Sequence, residues 1–140
     1  MLVTYPPETI DFDATDLPDG VRSALEEAIK CHANAAYVAA AIMVRKTLEE
    51  LCLNRNAEGR FLWNRLQALR EEVILPPELF EGLEDVALLG NDAAHVESRH
   101  YDNVGKEEVE IALEFAKRVL QAVYQSSTLL ARLRSLKKGE

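Results

Sequence analysis

The sequence predicts a single all-α domain, and three observations predict it. Apolar residues recur at helical spacing in five successive segments. No run alternates apolar and polar residues as a strand would, and the β-branched residues are scattered. The turn and start signals, chiefly Pro18, residues 54–59 and Pro76-Pro77, stand between those segments rather than inside them. A chain of 140 residues is a usual length for one domain. It is long enough to bury roughly two-thirds of its unfolded surface without a disulfide or a metal.

Residues 1–16, with Pro6, Pro7 and isolated apolar residues such as Ile10 and Phe12, read as an extended N-terminal arm ahead of one helical domain at 17–140. The first helix starts after Asp16, which can cap it, with Pro18 in the first turn, where its missing N–H costs nothing. Val21, Leu25, Ala28 and Ile29 form its inner stripe, and it ends within 31–34. The second helix covers about 35–53. Its first half, AAYVAAAIMV, is apolar on every side and is expected to lie centrally, with alanines that let neighbours approach. Leu48 and Leu51 point its second half inward.

A third helix at about 60–73 carries Phe61, Leu62, Leu66 and Leu69 on one side, and Trp63 with Phe61 is expected to anchor packing rather than stack on bases. Pro76 and Pro77 break the chain and start a fourth helix. Leu79, Leu83, Val86 and Gly90 give its stripe, and GNDAAH closes it. Residues 97–104 read as a loop. The last helix begins within 103–106, with Glu107 and Glu108 complementing its N-terminal dipole. Ala112, Phe115, Ala116, Val119 and Val123 make its inner face, and the pattern runs on to Leu136. Such a helix is about 45–50 Å long at 1.5 Å per residue. A small bundle does not need that length, so a protruding end and a homodimer are expected.

The net charge of -8 disfavours indiscriminate nucleic-acid binding. The charge is uneven: residues 125–140 hold Arg132, Arg134, Lys137 and Lys138 against Glu140, a net of +3, leaving -11 for the rest. A basic tail on an acidic body can touch phosphate or an acidic partner; cations complementing a helix C-terminus are the simpler reading. Cys31 and Cys52 lack Cys-x-x-Cys or zinc-type spacing and read as buried or half-buried free thiols of a cytoplasmic protein. No signal peptide is visible, and the longest apolar run, 35–44, falls short of the roughly 20 residues a membrane span needs.

The most unusual string is Gly90-Asn91-Asp92-Ala93-Ala94-His95. On a helix, Asn91 and His95 share a face. Gly90 at the end of an apolar stripe marks a close backbone approach, since glycine costs about 1 kcal/mol of helix propensity. An Asn and a His side by side make either a polar site or a hydrogen-bond network that fixes packing. Asp92, His95 and Glu97 do not share one helical face, so no metal site is expected, and no motif calls for a cofactor.

Arg45-Lys-Thr-Leu48-Glu49 on the alanine-rich helix, followed about forty residues later by Leu89-Gly90-Asn91-x-Ala93-Ala94-His95, resembles a branch of the HEPN superfamily (higher eukaryotes and prokaryotes nucleotide-binding). The branch is a domain of unknown function found alone and attached to restriction-type and other defence proteins. Glu26-x-x-x-Lys30-Cys31 and Ala112-Leu113-Glu114-Phe115 fit it too, so the resemblance covers about 16–125. It implies an antiparallel bundle of four or five helices, often dimeric.

Catalytic HEPN ribonucleases resemble one another in an Arg followed by four to six residues and a His. Pairs from two subunits meet for metal-independent RNA cleavage. The Arg stabilises phosphate charge and the His moves protons. Here the positions that such an Arg would take before His95 are Gly90, Leu89 and Leu88. His32 has Glu27, Glu26 and Leu25 there, and His100 has His95, Ala94 and Ala93. The expected function is therefore a non-catalytic binding and dimerisation module with a protein partner, and with RNA or a nucleotide as a secondary candidate ligand that the acidic charge disfavours. The alternative is a ribonuclease in which His95, Arg45 and Asn91 form a composite site across a dimer. The simpler account of Arg45 is an i,i+4 pair with Glu49 or an ion pair with Asp92.

Overall fold

A computed structural model describes residues 16–95 and 103–137. The expected N-terminal arm, most of the 97–104 loop, Glu97 and His100 lie outside the described residues. The described residues form helices α1 (Asp19–Ala33), α2 (Tyr37–Asn54), α3 (Leu62–Glu72), α4 (Pro77–Ala94), α5 (Lys106–Leu120) and α6 (Ser126–Ser135). A π-helical turn, Gln121–Gln125, joins α5 to α6. There is no strand among the described residues, so the all-α expectation holds.

Helix α2 packs against α1, α3, α4 and α5 and is the centre of the fold. Ala40, Ala41, Val44, Leu48 and Leu51 are buried along it. They meet Val21, Leu25 and Ala28 of α1, Leu62, Leu66 and Leu69 of α3, Leu83 of α4 and Val109, Ala116 and Val119 of α5 in one continuous core. The expectation that the first half of α2 is covered on every side is overturned. Val38 and Ile42 are exposed, because the surrounding helices leave one stripe of that half open.

The helix ends carry the local chemistry. Pro18 is the N-cap of α1, not a first-turn residue, and no side chain caps that end, so Asp16 does not serve there. Ala35 follows α1 at φ 60, with the Ala36 N–H donating to the Cys31 carbonyl (2.8 Å) and the Ala35 N–H to that of His32 (3.0 Å). This is a Schellman closure, which usually takes glycine at the left-handed position. It delays the start of α2 from the expected residue 35 to Tyr37. Asn56, at φ 58, ends α2 in the same way, through an Ala57 N–H bond to the Cys52 carbonyl (2.8 Å). Pro76 and Pro77 begin α4 as expected.

Two further expectations change. Phe61 and Trp63 do not anchor packing: they are 61% and 57% exposed. Phe61 sits at the N-cap of α3, and the inward positions at steps of four and three go to Leu62, Leu66 and Leu69. The last helix is not uniform, since the π-helical turn interrupts it and α6 projects beyond the core.

Candidate functional site

The polar cluster is built where α4 crosses α2. A Cβ on Gly90 would stand 2.5 Å from the Cβ of Arg45 and 3.1 Å from the Ala41 carbonyl oxygen. Glycine is required there because backbone and Cβ atoms, not flexible side-chain ends, fill the space. The close approach read from the sequence is therefore between α4 and the Ala41–Arg45 turn of α2.

Arg45 rises from that crossing. Its Nη1 donates to the Ala87 carbonyl of α4 at 3.0 Å, and its Nε lies 3.4 Å from the Glu49 carboxylate. The guanidinium thus ties α2 to α4 while pairing along its own helix. Of the two pairings considered, the i,i+4 pair with Glu49 is formed. Asn91 and Asp92 are half-buried, and both are engaged in polar interactions.

His95 is not on the helix. It is the C-cap of α4, with extended backbone (φ -131, ψ 122), and its N–H donates to the Asn91 carbonyl at 3.0 Å. The residue is exposed. Asn91 and His95 therefore do not present a shared helical face to the middle of the bundle, because α4 ends at Ala94. A histidine at the end of a helix escapes the i,i+4 geometry that the sequence spacing assumes.

A second histidine, His32, sits between helices. Its buried Nε2 lies 3.3 Å from the Glu110 carboxylate of α5, and the ring tilts against Tyr37 at 5.7 Å. The distance suits an ion pair, but the alignment is too poor for a hydrogen bond and leaves Nε2 without one. Spacing could not reveal this pair, since its members are on α1 and α5.

The cysteines are separate and free. Burial among apolar groups pushes the Cys52 thiol up to about 11. Cys31 is also raised, first by burial and then by the Glu27 carboxylate beside it. Neither is a poised nucleophile, which needs a depressed pKa. Burial pushes the Tyr124 phenol up to about 12, and its hydroxyl donates to Asn54 at 2.6 Å. No group of three or more His, Cys, Asp or Glu that could hold a metal occurs among the described residues.

The described residues include the polar crossing of α2 and α4, an apolar groove between α4 and α5, and its continuation on α5. They define an all-helical domain organised around α2. The chain belongs to the DUF4145 family, a domain of unknown function, whose model matches residues 26–137. No curated protein and no solved structure matches it. Among the described residues, no helix is long and apolar enough to cross a membrane.

Proposed function

We propose that this chain is a non-catalytic, HEPN-like binding and dimerisation module of a cytoplasmic system, with the defence or nucleic-acid-processing context drawn from the family resemblance. The observation that carries the reading is the commitment of Arg45. Its Nη1 is directed to the Ala87 carbonyl and its Nε to the Glu49 carboxylate, both of its own chain, so the side chain is held along the α2/α4 crossing. A cation that stabilises a phosphate must keep its donors for the ligand. The exposed leucines of α6 support association as the activity that remains.

The second reading is a metal-independent ribonuclease assembled across a dimer, with Arg45, Asn91 and His95 as its site. The exposure of His95 is the observation in its favour. Two measurements decide. Light scattering at micromolar concentration should give twice the 15.7 kDa chain mass; a monomer would remove both readings. Metal-free RNA cleavage should be no greater for wild type than for His95→Ala. Activity lost in that variant, with its fold intact, would establish the enzyme instead.

A further inference from the structure

A groove of about 420 Å³ runs between α4 and α5. Val86 and Leu89 of α4 and Ile111 and Phe115 of α5 make its apolar floor. Glu78, Glu81 and Asp85 stand along the α4 wall and Glu108 along the α5 wall. Gly82 makes the floor possible, since a Cβ there would occupy the space of the Phe115 ring. The apolar surface continues across α5 over Ile111 and Phe115, flanked by Glu110 and by Glu114, which pairs with Arg118 at the end of this second hollow. Ile111, a large apolar residue in the middle of α5, is 52% exposed. A greasy floor between two acidic walls fits an amphipathic helix with cations along both edges.

Helix α6 has that chemistry. Leu129 and Leu133 stand one turn apart with Leu130 beside them, 61%, 65% and 47% exposed in that order, and Leu136 at the C-cap is 77% exposed. At about 100° per residue, Arg132 falls on one edge of this stripe and Arg134 on the other. Ala131 and Ser135 occupy the back. Residues 125–140 carry +3 in a chain whose remainder carries -11, so the C-terminal helix is the basic surface the acidic groove lacks. The lengths agree: Glu78 to Leu89 spans about 16 Å and the ten residues of α6 about 15 Å.

We propose that α6 of a second copy of this chain fills the α4/α5 groove, and that the exchange is reciprocal. This rests on the reading of the protein as a dimerisation module and names the surfaces. The chain's own α6 continues α5 past the Glu78 end of the groove, where Leu129 shares a hollow with Glu78 and Leu79 of α4. Two copies placed antiparallel about an axis at Ala122, in the π-helical turn, bring each α6 to the other's groove. Ala112 and Arg132 are equally far from Ala122 along the chain. Leu133 then stands opposite Ile111, Leu129 opposite Phe115, and the arginines reach the two acidic walls. Such a two-fold contact closes on itself and yields a dimer rather than a filament.

The test is sedimentation equilibrium on the full chain, with urea unfolding as the folding control. All the substituted residues are exposed. Leu133→Glu and Ile111→Arg should each weaken dimerisation at least about tenfold. Arg132→Glu with Arg134→Glu, and separately Glu78→Arg with Glu81→Arg, should also dissociate the dimer. A one-to-one mixture of those two charge-reversed chains should restore it, because both grooves then meet a helix of opposite charge. A dimeric wild type whose variants stay dimeric overturns the exchange and leaves the module reading standing. Charge-reversed chains that dissociate but do not re-associate on mixing overturn the exchange as well. A monomeric wild type overturns both and leaves the groove to a basic helix of another protein.

Discussion

Replacing Gly90 by alanine tests the crossing on which the polar cluster depends. Two effects oppose each other. Alanine in a helix interior gains about 1 kcal/mol over glycine. Against this, the new methyl would stand 2.5 Å from the Arg45 Cβ and 3.1 Å from the Ala41 carbonyl. Neither atom is the end of a flexible side chain, so α2 and α4 must separate by roughly 1 Å, and overpacking of this kind costs about 1–3 kcal/mol. The upper part of that range applies, because the movement also stretches the 3.0 Å bond from Arg45 to the Ala87 carbonyl. The net expectation is a loss of about 1–2 kcal/mol. With a urea slope of about 2 kcal/mol/M, the midpoint should fall by roughly 0.5–1 M. Gly82→Ala is the control. It displaces only the half-buried Phe115 ring, which can swing outward, so its midpoint should stay within about 0.5 M of wild type. A Gly90→Ala protein as stable as wild type would refute the close packing of α2 on α4.

Other expectations follow from single contacts. Ala35→Gly should stabilise the chain by about 0.5–1 kcal/mol, since it relieves a left-handed residue at the Schellman position; an unchanged melting curve would contradict the φ of 60 there. Thr47 is fully buried and bonds back to the Met43 carbonyl at 2.8 Å, an acceptor that also serves the helix. Thr47→Val should therefore change stability by less than about 1 kcal/mol, and a larger loss in urea titration would mean the hydroxyl does more than fold back on its helix. Cys52, held up to about 11, and Tyr124, held up to about 12, keep their protons in the fold at pH values where the unfolded chain loses them. Stability should fall as pH rises past about 9, by about 2–3 kcal/mol at pH 10.5, and Cys52→Ala should flatten most of that slope.

Much of the fold was legible because helices announce themselves locally. Val21, Leu25 and Ala28, or Leu62, Leu66 and Leu69, need only their spacing to be assigned inward. Pro76-Pro77 fixes a helix start with no tertiary information. What failed is what depends on neighbours. The run at 35–44 is apolar all round, yet Val38 and Ile42 remain exposed because no described helix reaches that side of α2. Trp63 has the volume of an anchor but stands off the stripe of α3. His95 falls one residue beyond the end of α4, where i,i+4 spacing no longer applies. In the candidate site, Gly90 and the Arg45–Glu49 pair were readable, since both are written in short-range patterns. The Ala87 carbonyl that receives Arg45 was not, because a backbone acceptor has no sequence signature.

Glycine at position 90 also bears on chemistry. The pattern of the catalytic HEPN ribonucleases, from which this sequence departs, would put an arginine at 88, 89 or 90. Leu89 and Gly90 are buried, and at 90 even a methyl group collides with α2. An arginine there could not reach a ligand without parting the two helices that hold the cluster together. Leu88, by contrast, is 36% exposed, so its position has room for a long polar chain. Leu88→Arg should then fold, with an unfolding midpoint near wild type, whereas Gly90→Arg should unfold the domain or cost more than Gly90→Ala. If Gly90→Arg proved as stable as Leu88→Arg, the cation would be missing for reasons other than packing, and the crossing of α2 and α4 would not be what excludes it.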